Sequence, residues 1–274
     1  MANISHLTDK KSIRFIKDSI TDLKLLKKNF EGVDCVFHQA ALPSVPRSIR
    51  DPIASNAANV DGTLNVLVAA RDCGVKKVIF ASSSSVYGDT PILPKREDMK
   101  PNPKSPYAVT KLVGEYYCRV FSELYGLQTT CLRYFNVFGP RQDPNSQYAA
   151  VIPIFIIRVM ENKPPVIYGD RTQTRDFTFV KDVVKANILA MKSDSQGIFN
   201  IACNRRISLN ELARKIMKIM GSDLDVIYDK PRPGDIKDSL ADISLAYEKL
   251  GYEPGYDMNS GLEETINGFR LINF

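Results

Sequence analysis

The sequence predicts an α/β fold in which helices cover both faces of a parallel sheet, a doubly wound arrangement. Short apolar segments of strand length alternate with longer segments whose apolar residues recur every three or four positions. The strand-like segments, such as 33–38 and 75–81, are almost continuously apolar, which is typical of strands buried on both faces. Strands separated by helices favour parallel pairing.

The first half of the chain supplies most of the predicted sheet. Thr21 or Asp22 is a suitable N-cap for the first helix, while Gly74 and Gly126 follow the second and third helices as stop signals. The predicted order is strand 13–16, helix 21–30, strand 33–38, helix 55–73, strand 75–81, helix 106–125 and strand 129–134.

Beyond Asn136 the elements alternate less regularly and the loops contain more Pro, Gly and Asp. The predicted order is helix 151–161, strand 166–168, strand 176–180, helix 183–191, strand 197–201, helix 208–220 and helix 260–269. This pattern indicates a smaller C-terminal α/β lobe that covers the ends of the sheet. We therefore divide the chain at 1–147 and 148–274, with 176–180 and 183–191 as segments that can return to the first part.

Composition excludes several classes of protein. The 274 residues are 44% hydrophobic and 25% charged, as expected for a globular protein with a sizeable core. No apolar run approaches the roughly 18 residues of a membrane helix, and the N-terminus lacks a hydrophobic export segment, which predicts a cytoplasmic protein without a membrane partner.

The distribution of charge and of metal-binding residue types narrows the choice further. The Lys and Arg residues that give the net charge of +6 are scattered among Asp and Glu residues. They form no dense basic stripe of the kind that nucleic-acid binding requires. Five widely spaced cysteines and two histidines indicate reduced thiols and no metal site.

Tyr107 and Lys111 stand one helical turn apart in the predicted helix 106–125. A nearby ammonium favours the phenolate, so this pair is suited to acid–base chemistry, although a chance surface pair has the same spacing. The serines 82–85 directly follow a buried strand, at the edge where parallel sheets bind ligands. Taken alone they fit a solvated loop, but the serine run followed by the Tyr-x-x-x-Lys helix is far less accidental than either feature by itself.

The chain resembles the extended short-chain dehydrogenase/reductase family of NAD-dependent nucleotide-sugar epimerases and dehydratases. Within that family it is most similar to UDP-sugar 4-epimerases, especially those of N-acetylated sugars, on the strength of 141–145 (RQDPN) and 148–153 (YAAVIP). The resemblance extends over nearly the whole chain and rests on 37–41 (FHQAA), 59–63 (NVDGT), 82–88 (SSSSVYG), 105–111 (SPYAVTK), 133–139 (RYFNVFG), 175–177 (RDF) and 231–235 (PRPGD).

The resemblance implies a Rossmann-like fold, NAD as cofactor, a UDP-sugar as substrate and a role for each matching residue. The implied catalytic residues are Tyr107, Lys111, Ser83 and Ser84. The implied cofactor-binding residues are Asp18, Ser19, Ala40, Ala41, Asn59 and Phe135. The implied substrate-binding residues are Ser44, Ser85, Asn136, Gln142, Ala150, Val151, Arg175, Arg232 and Asp235, with the two arginines on the diphosphate.

One position separates the subfamilies. Dehydratases and decarboxylases of this fold generally carry an acid just before Val-Tyr-Gly, whereas this chain has Ser84 and Ser85 there. Elimination of water is therefore disfavoured, and the resemblance implies 4-epimerisation of UDP-N-acetylglucosamine or UDP-glucose through a 4-keto intermediate. Tyr107 would take the proton of the sugar 4-hydroxyl while NAD⁺ takes the C4 hydride.

The family's glycine-rich opening turn has no counterpart, since the first glycine is Gly32. The segment 12–16 matches the family's third strand, so the resemblance implies that a βαβ unit of roughly 30 residues or more is missing. We therefore expect weak NAD binding. Three interpretations stay open: a shortened epimerase, a non-catalytic binding or assembly module, and another UDP-sugar enzyme of the same fold.

The resemblance also implies a homodimer in which the helices 55–73 and 106–125 of two copies pair. Leu67, Tyr117, Val120 and Phe121 are the expected apolar outer residues. Packing within the core of one chain is the alternative explanation for the same residues.

Overall fold

A computed structural model describes residues 3–8, 10–143, 151–231 and 236–271. The elements up to the middle of the chain are α1 (Ser5–Thr8), α2 (Leu23–Phe30), β1 (Cys35–His38), α3 (Val45–Arg50), α4 (Pro52–Asn56), a π-helical turn (Ala57–Asp61), α5 (Gly62–Asp72), β2 (Lys77–Ser83), a 3₁₀ turn (Ser84–Tyr87), α6 (Pro106–Tyr125), β3 (Gln128–Tyr134) and β4 (Val137–Phe138).

The described residues of the second half form short strands and five helices. Its elements are α7 (Val151–Met160), β5 (Val166–Tyr168), β6 (Thr174–Arg175), β7 (Thr178–Phe179), α8 (Val180–Lys192), β8 (Gly197–Ile201), β9 (Ile207–Ser208), α9 (Leu209–Met220), β10 (Ile227–Asp229), α10 (Ser244–Leu250) and α11 (Met258–Leu271).

The main sheet has four parallel strands in the order β1-β2-β3-β8, which confirms the predicted α/β fold with a parallel sheet. Helices α5 and α6 pack on one face, and α8 and α10 pack on the other. Side chains of β2 alternate between the two layers, since Val78 and Phe80 join the α5–α6 core while Ile79 joins the α8–α10 core. The strand β8 places part of the C-terminal half in this sheet, while the division into two domains stays a prediction.

A separate core lies beneath the three small two-stranded sheets, which are β5 with β10, β4 with β7, and β6 with β9. Helices α7, α9 and α11 supply most of its buried side chains, together with Phe138, Phe177 and Phe179. This core supports the loops that face the carboxyl ends of the main strands.

The predicted strand 13–16 is wrong. These residues form no strand, and Ile13, Phe15 and Ile16 are 39%, 43% and 38% exposed. The physical reason is the position of β1 at the edge of the sheet. No strand in the described ranges offers the segment a row of backbone partners.

Two further predicted elements are divided in the structure. The predicted helix 55–73 begins earlier, at Pro52 with Asp51 as N-cap, and is interrupted by the π-helical turn. Of the predicted strand 176–180 only β7 is a strand, and Val180 already begins α8. Asp176 lies between β6 and β7, and its carboxylate accepts backbone N–H groups from Cys203 (2.9 Å) and Ala241 (3.2 Å). Those hydrogen bonds tie the chain to neighbouring loops and interrupt the strand.

The expected outer face of the helices is partly wrong. Leu67 and Phe121 lie in the core between the sheet and α5–α6, and Tyr117 packs against that core. Val120 is exposed as expected, and it forms an exposed apolar stripe on α6 with Val109, Tyr116 and Leu124. Positions spaced by seven and four residues share one helix face, so the stripe is continuous.

In the described part of the chain, no helix combines the length and apolar character that crossing a membrane requires. The described residues also hold no cluster of His, Cys, Asp and Glu suited to a metal ion. All five cysteines are free.

Candidate active site

The first turn of α6 is fixed at two points. The Ser105 hydroxyl accepts the N–H of Ala108 (3.2 Å) as N-cap, and Pro106 occupies the first helical position, where its missing N–H costs nothing. The backbone N–H of Tyr107 donates to the hydroxyl of Ser48 on α3 (3.0 Å), and Ser48 is fully buried. Tyr107 is therefore held at the start of the helix by a serine that the sequence analysis missed.

Lys111 lies one turn further along the same face of α6. It is 4% exposed, and its Nζ donates to the backbone oxygen of Ala81 on β2 (2.8 Å). The Nζ atom lies 5.8 Å from the ring centroid of Tyr107 and 5.1 Å from that of Phe80. The predicted tyrosine–lysine pair is thus placed at the carboxyl end of the central strand.

Burial shifts the pKa of both groups. It lowers the pKa of Lys111 to about 8, since a buried ammonium loses its hydration. It raises the pKa of Tyr107, and the nearby Ser83 hydroxyl acts in the opposite direction. The phenol is therefore protonated at neutral pH, and its use as a base requires additional positive charge beside it.

The serines form the wall of the site opposite α6. Ser83 ends β2, and its hydroxyl accepts the N–H of Ser85 (3.2 Å) as N-cap of the 3₁₀ turn that begins at Ser84. The hydroxyl of Ser85 is buried and has no hydrogen-bond partner within the described ranges. A buried hydroxyl without a partner is suited to a ligand that supplies one.

Asn59 positions the chain that follows β1. Its Oδ1 accepts the N–H of Leu42 (2.7 Å), and its Nδ2 donates to the Leu42 oxygen (3.1 Å) and to Thr110 Oγ1 on α6 (3.1 Å). These three bonds tie Leu42, which directly follows Ala40 and Ala41 in the chain, to the first turns of α6. Asn59 is 2% exposed and fully engaged with the protein, so it shapes the expected cofactor site through Leu42.

The other expected cofactor residues lie in different surroundings. Asp18 and Ser19 are exposed in the segment before α2, where the Asp18 carboxylate accepts the N–H of Ser19 (2.8 Å). The side chain of Phe135 is fully buried and packs against Tyr87. A contact between Phe135 and a cofactor therefore stays a prediction, and the backbone of Phe135 would make that contact.

Ser44 has a backbone φ of 96°, a value that residues with a side chain rarely adopt. Its hydroxyl accepts the N–H of Arg47 (3.3 Å) and caps α3, the helix that carries Ser48. Ser44 thus orients the helix that holds the first turn of α6. Its contact with substrate stays a prediction.

A cavity of about 260 Å³ opens between the small sheets and α7. It brings together Asn136, Val151 and Arg175, three of the expected substrate-binding residues. The Asn136 amide donates to the Asp176 oxygen (2.8 Å) and to Ser239 Oγ (2.9 Å), which fixes it at the cavity wall. The remaining lining residues are Val137, Phe138, Ile152, Ile154, Phe155, Val166, Tyr168, Gln173, Phe177 and Leu209.

Among the cavity residues that were not predicted from the sequence are Tyr168, Gln173 and Phe177. Gln173 Nε2 donates to the Tyr168 oxygen (2.7 Å), while Gln173 Oε1 is buried without a hydrogen-bond partner in the described residues. An aromatic wall with an unpaired acceptor suits a flat ligand that carries an N–H. Gln173 stands two residues before Arg175 in the sequence, and this spacing was the only signal for it. The spacing indicates a shared wall only once the small sheets are known.

Arg175 and Gln142 complete the described part of the substrate site. Arg175 Nη1 donates to the backbone oxygens of Thr174 (2.9 Å) and Lys237 (2.7 Å). Gln142 Nε2 donates to the Val137 oxygen (3.3 Å), and Gln142 Oε1 is buried without a partner in the described ranges. The expected substrate residues Ala150, Arg232 and Asp235 lie outside the described residues.

Comparison with known proteins identifies the family. Residues 2–202 match the model of the NAD dependent epimerase/dehydratase family. The UDP-glucose 4-epimerase of Mycolicibacterium smegmatis is 37% identical over 272 residues, which span 98% of this chain and 86% of that protein.

Solved structures of UDP-sugar 4-epimerases are also similar to this chain. A UDP-N-acetylglucosamine 4-epimerase from Methanobrevibacter ruminantium M1, in complex with UDP-N-acetylmuramic acid, superposes with a TM-score of 0.93 at 45% identity, covering 96% of this chain and 84% of that one. The Thermus thermophilus UDP-glucose 4-epimerase in complex with NAD gives 0.87 at 34% identity, covering 95% and 86%. The chain therefore belongs to the NAD dependent epimerase/dehydratase family.

Proposed function

We propose that the protein is a UDP-sugar 4-epimerase that acts on UDP-N-acetylglucosamine and UDP-N-acetylgalactosamine. The observation that carries this proposal is the placement of Tyr107, Lys111 and Ser83 together at the carboxyl end of β2. The similar proteins named above support it, since all three are UDP-sugar 4-epimerases by name. The resemblance to enzymes of N-acetylated sugars favours those substrates over UDP-glucose and UDP-galactose.

The cofactor of this family is NAD, and the donor groups at β2 fit its nicotinamide end. A buried ammonium, a phenol and serine hydroxyls lie at the edge where parallel sheets bind ligands, and Ser85 has an unpaired hydroxyl. Lys111 and Tyr107 would hold this end, beside the backbone of Ala40 and Ala41. When bound, NAD⁺ supplies a hydride acceptor and a positive charge.

The residues of the chain supply the proton chemistry. Tyr107 accepts the proton of the sugar 4-hydroxyl as the 4-keto sugar forms, and returns it when the hydroxyl re-forms on the opposite face. Ser83 hydrogen-bonds the same sugar oxygen, and the Lys111 ammonium stabilises the phenolate. Since burial alone raises the pKa of Tyr107, the tyrosine becomes a base only when cationic charge lies next to it.

The side chains near the reacting carbon favour epimerisation over elimination. The turn Ser84–Tyr87 carries hydroxyl groups and no carboxylate. Loss of water from a keto sugar requires a base at the neighbouring carbon, and a serine without an activating partner is a poor base. The 4-keto sugar is therefore reduced again instead of dehydrated.

The cavity beside α7 suits the nucleotide. Tyr168 and Phe177 offer flat apolar surfaces to a uracil ring, and the free Gln173 oxygen is an acceptor for the ring N–H. Arg175 on the same wall matches the geometry of phosphate oxygens. Asn136 borders the cavity and follows β3 in the chain, so the sugar would extend from here toward Tyr107.

The test is an NMR assay of the purified protein with UDP-N-acetylglucosamine and added NAD⁺, in which the anomeric proton signals of the two epimers are integrated over time. We expect UDP-N-acetylgalactosamine to accumulate until the two epimers reach equilibrium. Tyr107→Phe should abolish the reaction, while Tyr116→Phe, an exposed tyrosine on the same helix, should leave it unchanged. A 4-keto-6-deoxy product, or no turnover with either UDP-hexosamine or UDP-hexose, would contradict the proposal.

We propose in addition that two copies associate through α6. Its stripe of Val109, Tyr116, Val120 and Leu124 is exposed, and contiguous exposed apolar surface of this kind marks interaction sites. A two-fold axis across the helix would cover the stripe of each copy with that of the other.

A further inference from the structure

Three consecutive residues of β2 contact three residues spaced by four along α6. Ala81 accepts a hydrogen bond from Lys111, and the hydroxyl of Ser82 donates to the carboxylate of Glu115 at 2.5 Å. The Tyr107 phenol lies close enough to the Ser83 hydroxyl for that hydroxyl to lower the pKa of the phenol. Tyr107, Lys111 and Glu115 share one helix face, so the contact with Ser82 holds the same face of α6 against the end of β2.

Glu115 is held much more firmly than the two residues of the site. Arg133 on β3 donates to it twice, from Nε to Oε1 at 2.8 Å and from Nη2 to Oε2 at 2.7 Å. The side chains of Arg133 and Glu115 are only 2% and 0% exposed, so this is a bidentate ion pair inside the protein. Arg133 and Ser82 are directly paired neighbours in the sheet. Glu115 is therefore fixed to both central strands at one level.

Arg133 also contacts the serine turn. Its Cζ lies 4.6 Å from the ring centroid of Tyr87, the last residue of that turn, and the Tyr87 hydroxyl donates to Asn200 on β8 at 2.7 Å. One guanidinium thus touches the helix that carries Tyr107 and the turn that carries Ser84 and Ser85. The two walls of the site share this one support.

We infer that the buried Glu115–Arg133 ion pair is a positioning device that sets the register of α6 on β2 and so keeps the Tyr107 phenol at the Ser83 hydroxyl. Neither residue touches a reacting atom, and both act through Tyr107 and the serine turn. The inference rests on the proposed function for its rate effect and on the geometry alone for its effect on Tyr107.

Stability alone does not account for the pair. The cost of desolvating two buried charges offsets most of their attraction, and well-packed apolar residues of similar volume often stabilise a protein equally well. Apolar residues, however, do not define one position of the helix along the strand. A bidentate pair holds the helix at one position along the strand, whereas apolar contacts permit a small slide.

The test replaces the polar group as a whole, so that no buried charge is left alone. In the triple variant Ser82→Ala, Glu115→Leu, Arg133→Met we expect an unfolding midpoint similar to that of the wild type. We expect kcat to fall at least tenfold with KM within twofold, since the nucleotide cavity is untouched. With ¹³Cζ-labelled tyrosine, the NMR titration of Tyr107 should move to higher pH by half a unit or more as the contact with Ser83 is lost.

The matched control is the exposed pair Arg119–Glu123 on the same helix. Its double variant Arg119→Gln, Glu123→Gln should leave kcat, KM and the Tyr107 titration unchanged. Glu115→Gln together with Arg133→Gln is the second test variant, because it keeps much of the side-chain volume and leaves no buried charge alone if the triple variant does not fold. It should shift the Tyr107 titration in the same direction by a smaller amount.

A wild-type Tyr107 titration in either folded variant overturns the inference, as does a wild-type kcat in the triple variant. The titration needs no turnover, so it separates this inference from the proposed function. A wild-type protein without epimerase activity contradicts the function, while a shifted Tyr107 titration still supports the positioning role.

Discussion

The Nε2 atom of His38 lies 2.9 Å from Thr63 Oγ1 in the buried layer between β1 and α5. The Thr63 hydroxyl donates its single proton to the backbone oxygen of Asn59 at 2.6 Å. In the hydrogen bond between His38 and Thr63, His38 Nε2 is therefore the donor and carries the proton. Burial lowers the pKa of His38 to about 3, and the nearby Lys111 ammonium acts in the same direction. The imidazole is therefore neutral wherever the protein is folded at ordinary pH.

The neutral His38 predicts a loss of stability in acid. Below pH 6.5 the unfolded chain binds a proton at this histidine that the folded chain does not, so the free energy of unfolding decreases as pH falls toward 3. Between pH 6.5 and 4.5 the loss is about 2–3 kcal/mol. We expect His38→Gln to remove this slope, as measured by urea unfolding at several pH values.

Comparison of the wild type with His38→Gln separates the contribution of His38 to the pH dependence of stability from that of other groups. Burial raises the pKa of Asp176 to about 6, which acts in the opposite direction over the range from 3.8 to 6 and is present in both. Equal pH slopes for wild type and variant would show that His38 titrates normally in the folded protein.

Lys111→Met should make the protein more stable and less active. Since burial lowers the pKa of Lys111 to about 8, holding its charge in the folded state costs free energy at pH 7 that methionine does not. After allowance for the lost hydrogen bond to Ala81, we expect a gain of about 2 kcal/mol in the free energy of unfolding. Turnover should fall at least a hundredfold. Chemical denaturation and the NMR assay measure the two quantities, and a variant less stable than wild type would speak against this account.

Asn59→Ala should destabilise the protein by about 2–4 kcal/mol, because it leaves the part-buried N–H and carbonyl of Leu42 without their partner. Asn65→Ala is the control, since that amide on α5 bonds only the carbonyls of Ile20 and Thr21 near the surface and should cost less than half as much. Equal losses of unfolding free energy in the two variants would mean that the position of Leu42 does not depend on Asn59.

Gln173→Leu should weaken UDP binding about tenfold, since the variant removes the free acceptor in the cavity while keeping its volume. Isothermal titration calorimetry with UDP measures the dissociation constant. The control is Gln196→Leu, whose amide oxygen accepts a hydrogen bond from Ser122 on the far part of α6. Unchanged affinity in Gln173→Leu would place the base elsewhere.

Val120→Lys together with Leu124→Lys should convert the proposed dimer to monomers in sedimentation velocity experiments, because charge on both positions interrupts the apolar stripe of α6. Val184→Lys on α8 has a similarly exposed valine on the other side of the sheet and should not change the sedimentation coefficient. A monomeric wild type at micromolar concentration would refute the proposed interface.

The main sheet and α6 could be predicted because their signals are local. An apolar run marks β2, and apolar or β-branched residues mark β3 and β8, while a Ser-Pro start and a glycine stop mark the ends of α6. The placement of Tyr107 and Lys111 on one face follows from the helical repeat alone. Their side by side location at the end of β2 needed only the rule for parallel sheets.

What could not be predicted depends on contacts between distant segments. Ser48 and Gln173 are ordinary polar residues in sequence, and only the fold brings them to Tyr107 and to the nucleotide cavity. The prediction of a strand at 13–16 was wrong although its local pattern is suitable, because no strand in the described residues pairs with this segment. The sign of the Tyr107 pKa shift also depends on burial, which spacing does not reveal.

The π-helical turn at Ala57–Asp61 has a consequence for how this region tolerates changes in length. A turn of this kind holds one residue more than an α-helical turn, and each residue of an α-helix advances the direction of side chains by about 100°. Deleting one residue here would restore a regular helix, with α4 and α5 kept in nearly the same relative direction and the side chains within the turn redistributed around it. Asn59 would then point away from Leu42, so a single lost codon would dismantle a wall of the site while leaving the helix itself intact.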